Sequence, residues 1–298
     1  MAGRIGESVL SYQHAYHAGN HADILKHFVL SFVINSLNSK EKPYTVYDTH
    51  SGSGLYDLLD NRSIKTEEAS LGILKLLKKN DYPEELKSYI SLITEYTSEN
   101  KYPGSPEIEK RLIRTQDNLI LSELHPVEFE NLSKNIKNGQ NVSNIQLHKR
   151  NGWEMIKALT PPSTKRGCVL IDPSYEETED YLNAAKTINL IHKKWSNGII
   201  MLWYPLLQHR KNEISQMINS ITEESKKINQ NIEIADIQLK VFEEDAHKEV
   251  SLQEVLSDKD KKNPPRLYGS GMLVINSPWK LQEICSKVIP YVENILRN

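Results

Sequence analysis

The sequence predicts an α/β fold: a mostly parallel sheet of seven strands whose last strand runs antiparallel, plus a small helical insertion. Two observations carry this. Short, β-branched apolar runs alternate with longer amphipathic stretches, the pattern of strands joined by crossover helices. Four successive runs also end in polar or glycine-rich signatures, and open α/β sheets bind ligands beyond the carboxyl ends of their strands.

Taken in order, Ile24, Leu25, Phe28, Val29, Phe32 and Val33 recur at helical spacing, so a helix starts near Asp23 with Lys26 and His27 in its first turns. Tyr44–Asp48 is the first strand, followed by a glycine turn. The next strand does not begin until about residue 119. The interval 56–105 holds two helix-like segments, 67–79 and 83–98, rich in Leu, Lys and Glu. It reads as an insertion subdomain splitting a main domain made of 1–55 and 106–298. It either caps the functional edge or forms a solvated hairpin away from it. The remaining strands are 119–124, 145–149, 167–173, 199–205, 232–241 and 271–277, with helices at 126–137, 152–159, 178–195, 209–222 and 280–297. No clear helix separates the last two strands, which predicts an antiparallel pair joined by a charged, mobile loop over 243–266.

Composition excludes several classes. With 38% hydrophobic and 26% charged residues in 298, the chain is globular. No apolar run approaches the ~20 residues of a membrane span, and residues 1–9 lack a signal-peptide core. Two cysteines, Cys168 and Cys285, fit a reducing cytoplasm. A net charge of −2 rules out a uniformly basic nucleic-acid binder, so any such contact uses local patches such as Lys26, Arg62, Lys65, Lys165-Arg166 and His209-Arg210-Lys211.

The chemistry concentrates at strand ends. Asp48-Thr49-His50-Ser51-Gly52-Ser53-Gly54 offers backbone N–H groups to a close ligand but lacks the third glycine of the dinucleotide fingerprint. Glu123, ending the next run, is placed to accept both hydroxyls of a ribose, or is a solvated strand-terminal acid. Asn151, before Gly152, reads an adenine edge, caps the following helix, or does both. The fourth run ends in Asp172-Pro173-Ser174-Tyr175. The Asp172 carboxylate and the Pro173 carbonyl can both accept from one exocyclic amine, while the Tyr175 ring can stack on the base that carries it. A second dense cluster is Ser11-Tyr12-Gln13-His14-Ala15-Tyr16-His17-Ala18-Gly19-Asn20-His21-Ala22-Asp23-Ile24-Leu25-Lys26-His27, which holds four of the ten histidines. His17, His21, Asp23 and His27 would be its metal ligands; without a nearby cysteine, hydrogen-bonding and stacking roles are favoured over a metal.

With these stretches, joined by Tyr102-Pro103-Gly104-Ser105-Pro106, Leu202-Trp203-Tyr204-Pro205 and the run 270–276, the chain resembles the RlmJ family over nearly its whole length. Members of that family methylate the N6 amine of an adenine in 23S ribosomal RNA, using S-adenosylmethionine. The resemblance implies a Rossmann-like class I methyltransferase fold. It implies a cofactor site formed by His27, His50, Ser105, Glu123, Asn151, Gly152 and Asp172, with Asp172 as catalytic acceptor. It also implies substrate contacts from Tyr12, Pro173 and Tyr175. The expected partner is 23S rRNA, and the expected state a cytoplasmic monomer without metal or membrane. Two positions depart from the family: Ser174 replaces the second proline of Asp-Pro-Pro-Tyr, and Asn151 replaces an aspartate. Alternatives are a DNA adenine-N6 methyltransferase, which shares the tetrapeptide, and a non-catalytic RNA-binding relative.

Overall fold

A computed structural model describes residues 16–137, 144–243 and 267–297. Tyr12, His14 and all but the start of the charged loop 243–266 lie outside these residues. The chain opens on α1 (His21–Asn38) and β1 (Thr45–Asp48). It continues through β2 (Leu55–Asp57), α2 (Asn61–Thr66), α3 (Glu68–Leu71), α4 (Ile73–Leu77), α5 (Glu84–Thr97) and β3 (Lys101–Pro103). Then come α6 (Ser105–Leu112), β4 (Asn118–Ser122), α7 (Pro126–Lys137), β5 (Ile145–His148), α8 (Gly152–Leu159), β6 (Gly167–Ile171), α9 (Thr178–Lys194) and β7 (Ile199–Leu206). It closes with α10 (Lys211–Ile228), β8 (Ile234–Lys240), β9 (Gly269–Ile275) and α11 (Leu281–Arg297).

The main sheet has seven strands in the order β5-β4-β1-β6-β7-β9-β8. The pairs β1–β4, β1–β6, β4–β5 and β6–β7 are parallel, and β9 is antiparallel to both neighbours. This is the expected Rossmann-like arrangement. The central strands β1, β4, β6 and β7 are buried on both sides, as a sheet covered on both faces requires, while the edge strand β8 alternates buried and solvent-facing residues. Val46, Leu121, Cys168, Leu170 and Met201 face a core shared with α1, α5, α6, α7 and α11. Tyr47, Val169, Ile171, Ile200 and Leu202 face the second core, under α8, α9 and α10. Among the described residues, no helix is long and apolar enough to cross a membrane.

Helix α1 is buried almost all round, packed between the sheet and helices α5, α6 and α11. An apolar helix without a solvent face belongs in a core, yet its first turns carry Asp23, Lys26 and His27, all buried. Asn20 caps it, its Oδ1 accepting from the N–H groups of Ala22 and Asp23 at 2.9 and 3.0 Å.

The segment between β1 and β4 differs in detail from expectation. Its base is a two-stranded antiparallel ribbon, Leu55 opposite Pro103 and Asp57 opposite Lys101; strands of three residues leave no readable alternation. The helix expected over 67–79 is broken at Glu67 (φ 56) and again at Gly72. The second break has a cause. A Cβ on Gly72 would sit 2.3 Å from Gly19 O, and the next N–H, from Ile73, donates to that carbonyl at 2.8 Å. Glu68 meanwhile accepts from Asn20 Nδ2 and bonds His17 Nδ1, both at 2.9 Å. These contacts hold the segment against the turn that leads into α1.

Candidate active site

The strand order reverses at β1, and the connections leaving β1 and its neighbours diverge there, opening a crevice beyond the carboxyl ends. A cavity of about 400 Å³ fills it, within the range of small-ligand sites. Its walls come from the start of α1, the turn after β1, the ends of β4, β6 and β7, and the first residues of α6 and α8. Of the residues the sequence singles out, His27, His50, Ser105, Glu123, Asn151, Gly152, Asp172, Pro173 and Tyr175 all line it.

Asp172 follows directly on β6 and is 16% exposed. Its Oδ2 accepts from Lys26 Nζ at 2.6 Å, while Oδ1 has no hydrogen-bond partner among the described residues. Lys26 also meets Asp23 Oδ1 at 2.9 Å. Burial pulls the Lys26 ammonium down, but the Asp172 and Asp23 carboxylates more than offset this and hold it well above the ordinary lysine range. Lys26 is therefore not a surface phosphate contact; it is a buried cation shared by the carboxylates of Asp23 and Asp172. The Asp23–Lys26 half of this triad is visible in the sequence as an i,i+3 pair. The half that matters for chemistry joins residues 146 positions apart, and no local signal announces it.

Tyr175 is 6% exposed and adopts φ 52, a left-handed backbone costly for a non-glycine residue. Its hydroxyl donates to Trp203 O at 3.0 Å and its ring packs 4.6 Å from Tyr181 and 6.1 Å from Trp203. The ring is thus a fixed wall. On the other side, His50 Nδ1 lies 2.8 Å from Thr49 Oγ1, which itself donates to Leu170 O at 3.1 Å. The imidazole N–H therefore sits on Nδ1 and Nε2 is an acceptor. Burial pushes His50 down to about 4, so the ring is neutral at neutral pH. His27 bonds Tyr102 Oη through Nδ1 at 2.9 Å.

Glu123 closes the far wall, its two oxygens accepting from Gly52 N at 2.8 Å and His125 N at 2.7 Å. Burial pushes its carboxyl above the usual range, against those two N–H bonds. Asn151 caps α8, Oδ1 accepting from Glu154 N at 3.2 Å. The neighbouring Gly152 leaves no room for a side chain, since a Cβ there would lie 1.9 Å from Thr49 O. Gly152→Ala is accordingly expected to push the β1 turn away from α8 and weaken ligand binding at least about tenfold; titration calorimetry reads this, and unchanged affinity would contradict it.

The other candidate phosphate contacts fare differently. Arg166 precedes β6 at the opposite edge of the sheet, where it donates to Leu37 O and Lys42 O at 2.6 Å and ties α1 to the strand. It is a structural clamp. Arg62 pairs with Asp60 at 3.0 Å and Arg210 with Glu213 at 3.0 Å; Lys65, His209 and Lys211 are exposed. His17 turns to Glu68, and among the described residues no group of three or more His, Cys, Asp or Glu side chains is arranged to hold a metal ion. Lysine and arginine contribute a single residue to the cavity wall, Lys26, against Asp23, Glu123, Glu128, Asp172, Glu176, Glu177 and Asp180.

A family model described as "Ribosomal RNA large subunit methyltransferase D, RlmJ" matches residues 41–298. The chain is 36% identical over 291 residues to "Ribosomal RNA large subunit methyltransferase J" of Escherichia coli K12, covering 97% of this chain and 94% of that protein. A protein of the same name from Haemophilus influenzae is 36% identical over 292 residues, with the same coverage. The crystal structure of a Legionella pneumophila protein matches with a TM-score of 0.78 at 30% identity, covering 94% of both chains. On the sheet order, the cavity at its switch point and these matches, the chain belongs to the RlmJ family of ribosomal RNA large subunit methyltransferases.

Proposed function

We propose that the chain transfers a methyl group from S-adenosylmethionine to the N6 amine of an adenine in 23S ribosomal RNA. The observation that carries this reading is Asp172: one oxygen is clamped by Lys26, the other is open, and the Pro173 carbonyl and the Tyr175 ring stand beside it in the same cavity. The lone pair of an adenine amine is delocalised into the ring, which makes it a poor nucleophile. Hydrogen bonds from its two hydrogens to Asp172 Oδ1 and Pro173 O favour a pyramidal nitrogen and aim the lone pair. The remaining demand is positioning and charge stabilisation, after which the amine proton has Asp172 as its acceptor. The base must leave its stack at a cost of a few kcal/mol; stacking on the immobilised Tyr175 ring would return about 1–3 kcal/mol.

The wall fits the donor on two counts. Carboxylates outnumber ammonium groups, which suits a cationic sulfonium. Glu123 accepts from the backbone N–H groups of Gly52 and His125, with a further contribution from Leu124 N–H, and an ionised carboxylate has about four acceptor sites, which leaves room for a ribose hydroxyl. His27, His50, Ser105, Asn151 and Gly152 complete the proposed holding set. When bound, S-adenosylmethionine supplies an electrophilic methyl on sulfur.

Asn151 keeps an amide where the family has a carboxylate, so the wild type is expected to bind S-adenosylmethionine in calorimetry. Asn151→Asp is expected to bind roughly fivefold tighter, because a charge-assisted hydrogen bond adds about 1 kcal/mol over a neutral one. No binding by the wild type, rescued by Asn151→Asp, would contradict this. The function itself is tested by incubating the protein and S-adenosylmethionine with 23S rRNA transcripts and, in parallel, duplex DNA, then analysing the nucleosides by mass spectrometry. N6-methyladenosine in the RNA is expected. Methylation of the DNA alone, of another RNA atom, or of neither would overturn the reading.

A further inference from the structure

Several buried acids take no part in the scheme above, Asp48 among them. Asp48 ends β1 and is 0% exposed. It lies behind the cavity wall, yet it holds two wall residues from separate elements. Its Oδ2 accepts from Ser105 Oγ, the first residue of α6, at 2.7 Å, and its Oδ1 accepts from His50 N, in the turn after β1, at 3.1 Å. We propose that Asp48 is a positioning residue for the cofactor: its carboxylate fixes Ser105 and His50 in the wall, and taking up a proton turns the Ser105 hydroxyl round. This rests on reading the cavity as a S-adenosylmethionine site.

The chemistry follows from donor and acceptor counts. A carboxylate only accepts, so the Ser105 hydroxyl proton is committed to it and Ser105 presents lone pairs to a ligand. A neutral carboxyl protonated on Oδ2 donates to Ser105 Oγ, so that contact survives with its direction reversed, while Oδ1 still accepts from His50 N. The Ser105 hydroxyl proton is then free to turn to the ligand, and the wall presents a donor where the anionic form presents acceptors.

The surroundings set when this happens. Asp172 faces Asp48 from β6, Lys26 from α1, the His50 ring from its own turn, and Glu109 from α6. Glu109 is one helical turn beyond Ser105 and 0% exposed, and neither of its carboxyl oxygens has a partner among the described residues. Burial, reinforced by Asp48, pushes the Glu109 carboxyl well above the usual carboxylate range and favours its neutral form. Burial likewise pushes Asp48 up to about 7, against the Ser105 and His50 hydrogen bonds; Asp172 adds to the rise and Lys26 opposes it. The anion is the competent form, so cofactor affinity is present above neutrality and is lost as pH falls through about 7.

The test measures the dissociation constant of S-adenosylmethionine by calorimetry between about pH 6 and pH 8 in the full-length wild type and in Asp48→Asn, with kcat at saturating cofactor. The wild type is expected to lose up to about tenfold in affinity on going down that range, as a single proton uptake dictates. Asp48→Asn is expected to bind about tenfold more weakly at the upper end and to lose most of the pH step, with kcat within about threefold. His17 lines the same cavity; burial pulls it down but bonding to Glu68 raises it from its ordinary value, so its protonation weakens a cationic ligand with the same sign. The difference between wild type and Asp48→Asn, not the wild-type slope alone, therefore decides. Equal affinity and an equal pH step in the two proteins overturn the inference, as does a fall in kcat with affinity unchanged. Should Asp48→Asn not fold, Ser105→Ala takes its place, and an undiminished pH step there overturns it. A wild type that binds no S-adenosylmethionine at any pH overturns the reading of the site itself, a result distinct from these.

Discussion

Asp172→Asn is expected to reduce methyl transfer by about a thousandfold or more while keeping S-adenosylmethionine affinity within about tenfold. The size reflects the loss of a positioned proton acceptor, which contributes about 10²–10⁴. An amide has one acceptor oxygen and one donor nitrogen, and Lys26, with only N–H donors to offer, will take the oxygen. The NH₂ group then faces the adenine amine, donor against donor, and cannot accept its proton. Asp172→Ala should behave the same way. Single-turnover incorporation of labelled methyl into rRNA, beside calorimetry with the cofactor, separates chemistry from binding. Appreciable transfer by either variant would contradict the role given to Asp172.

Lys26→Met is expected to cost about 3–5 kcal/mol of stability, because it leaves the carboxylates of Asp23 and Asp172 in a desolvated site without their cation. Methionine matches the length of the lysine stem, so the effect reports charge and not volume. Urea midpoints measure it, and a change below about 1 kcal/mol would contradict the buried-triad account. Adding Asp172→Asn to Lys26→Met should recover part of the loss, since the second change removes one of the two stranded charges; simple additivity of the two costs would show that the pair does not interact.

The contrast between what was and was not legible has physical causes. Strands β1, β4, β6 and β7 were readable because a sheet buried on both faces demands continuous apolar runs, and the boundaries fall within about two residues of expectation. The cavity wall was readable because open α/β sheets place their clefts at the carboxyl ends of strands, so Asp172, Glu123 and Asn151 announce themselves by position. The ribbon of β2 and β3 was not, since three residues carry no period. Nor was the break at Gly72, which is imposed by the backbone of Gly19 and by no feature of its own segment. The charged residues misled most. Lys26 and Arg166 look like surface cations in one dimension, but one closes a carboxylate triad and the other clamps two carbonyls at the far edge of the sheet. Asp48 reads in the sequence only as the start of the glycine turn, because its bond to Ser105 joins residues 57 positions apart.

The central claim is that Asp172 and the Pro173 carbonyl grip the exocyclic amine of a flipped adenine. A crystal structure with a bisubstrate analogue, in which the adenosine N6 is tethered to the methionine-bearing moiety of the donor, tests it most directly. The account predicts N6 within about 3 Å of both Asp172 Oδ1 and Pro173 O, with the base against Tyr175. An analogue bound with that nitrogen directed away from both oxygens, or a cavity in which Asp172 stays sealed from the base, would contradict it.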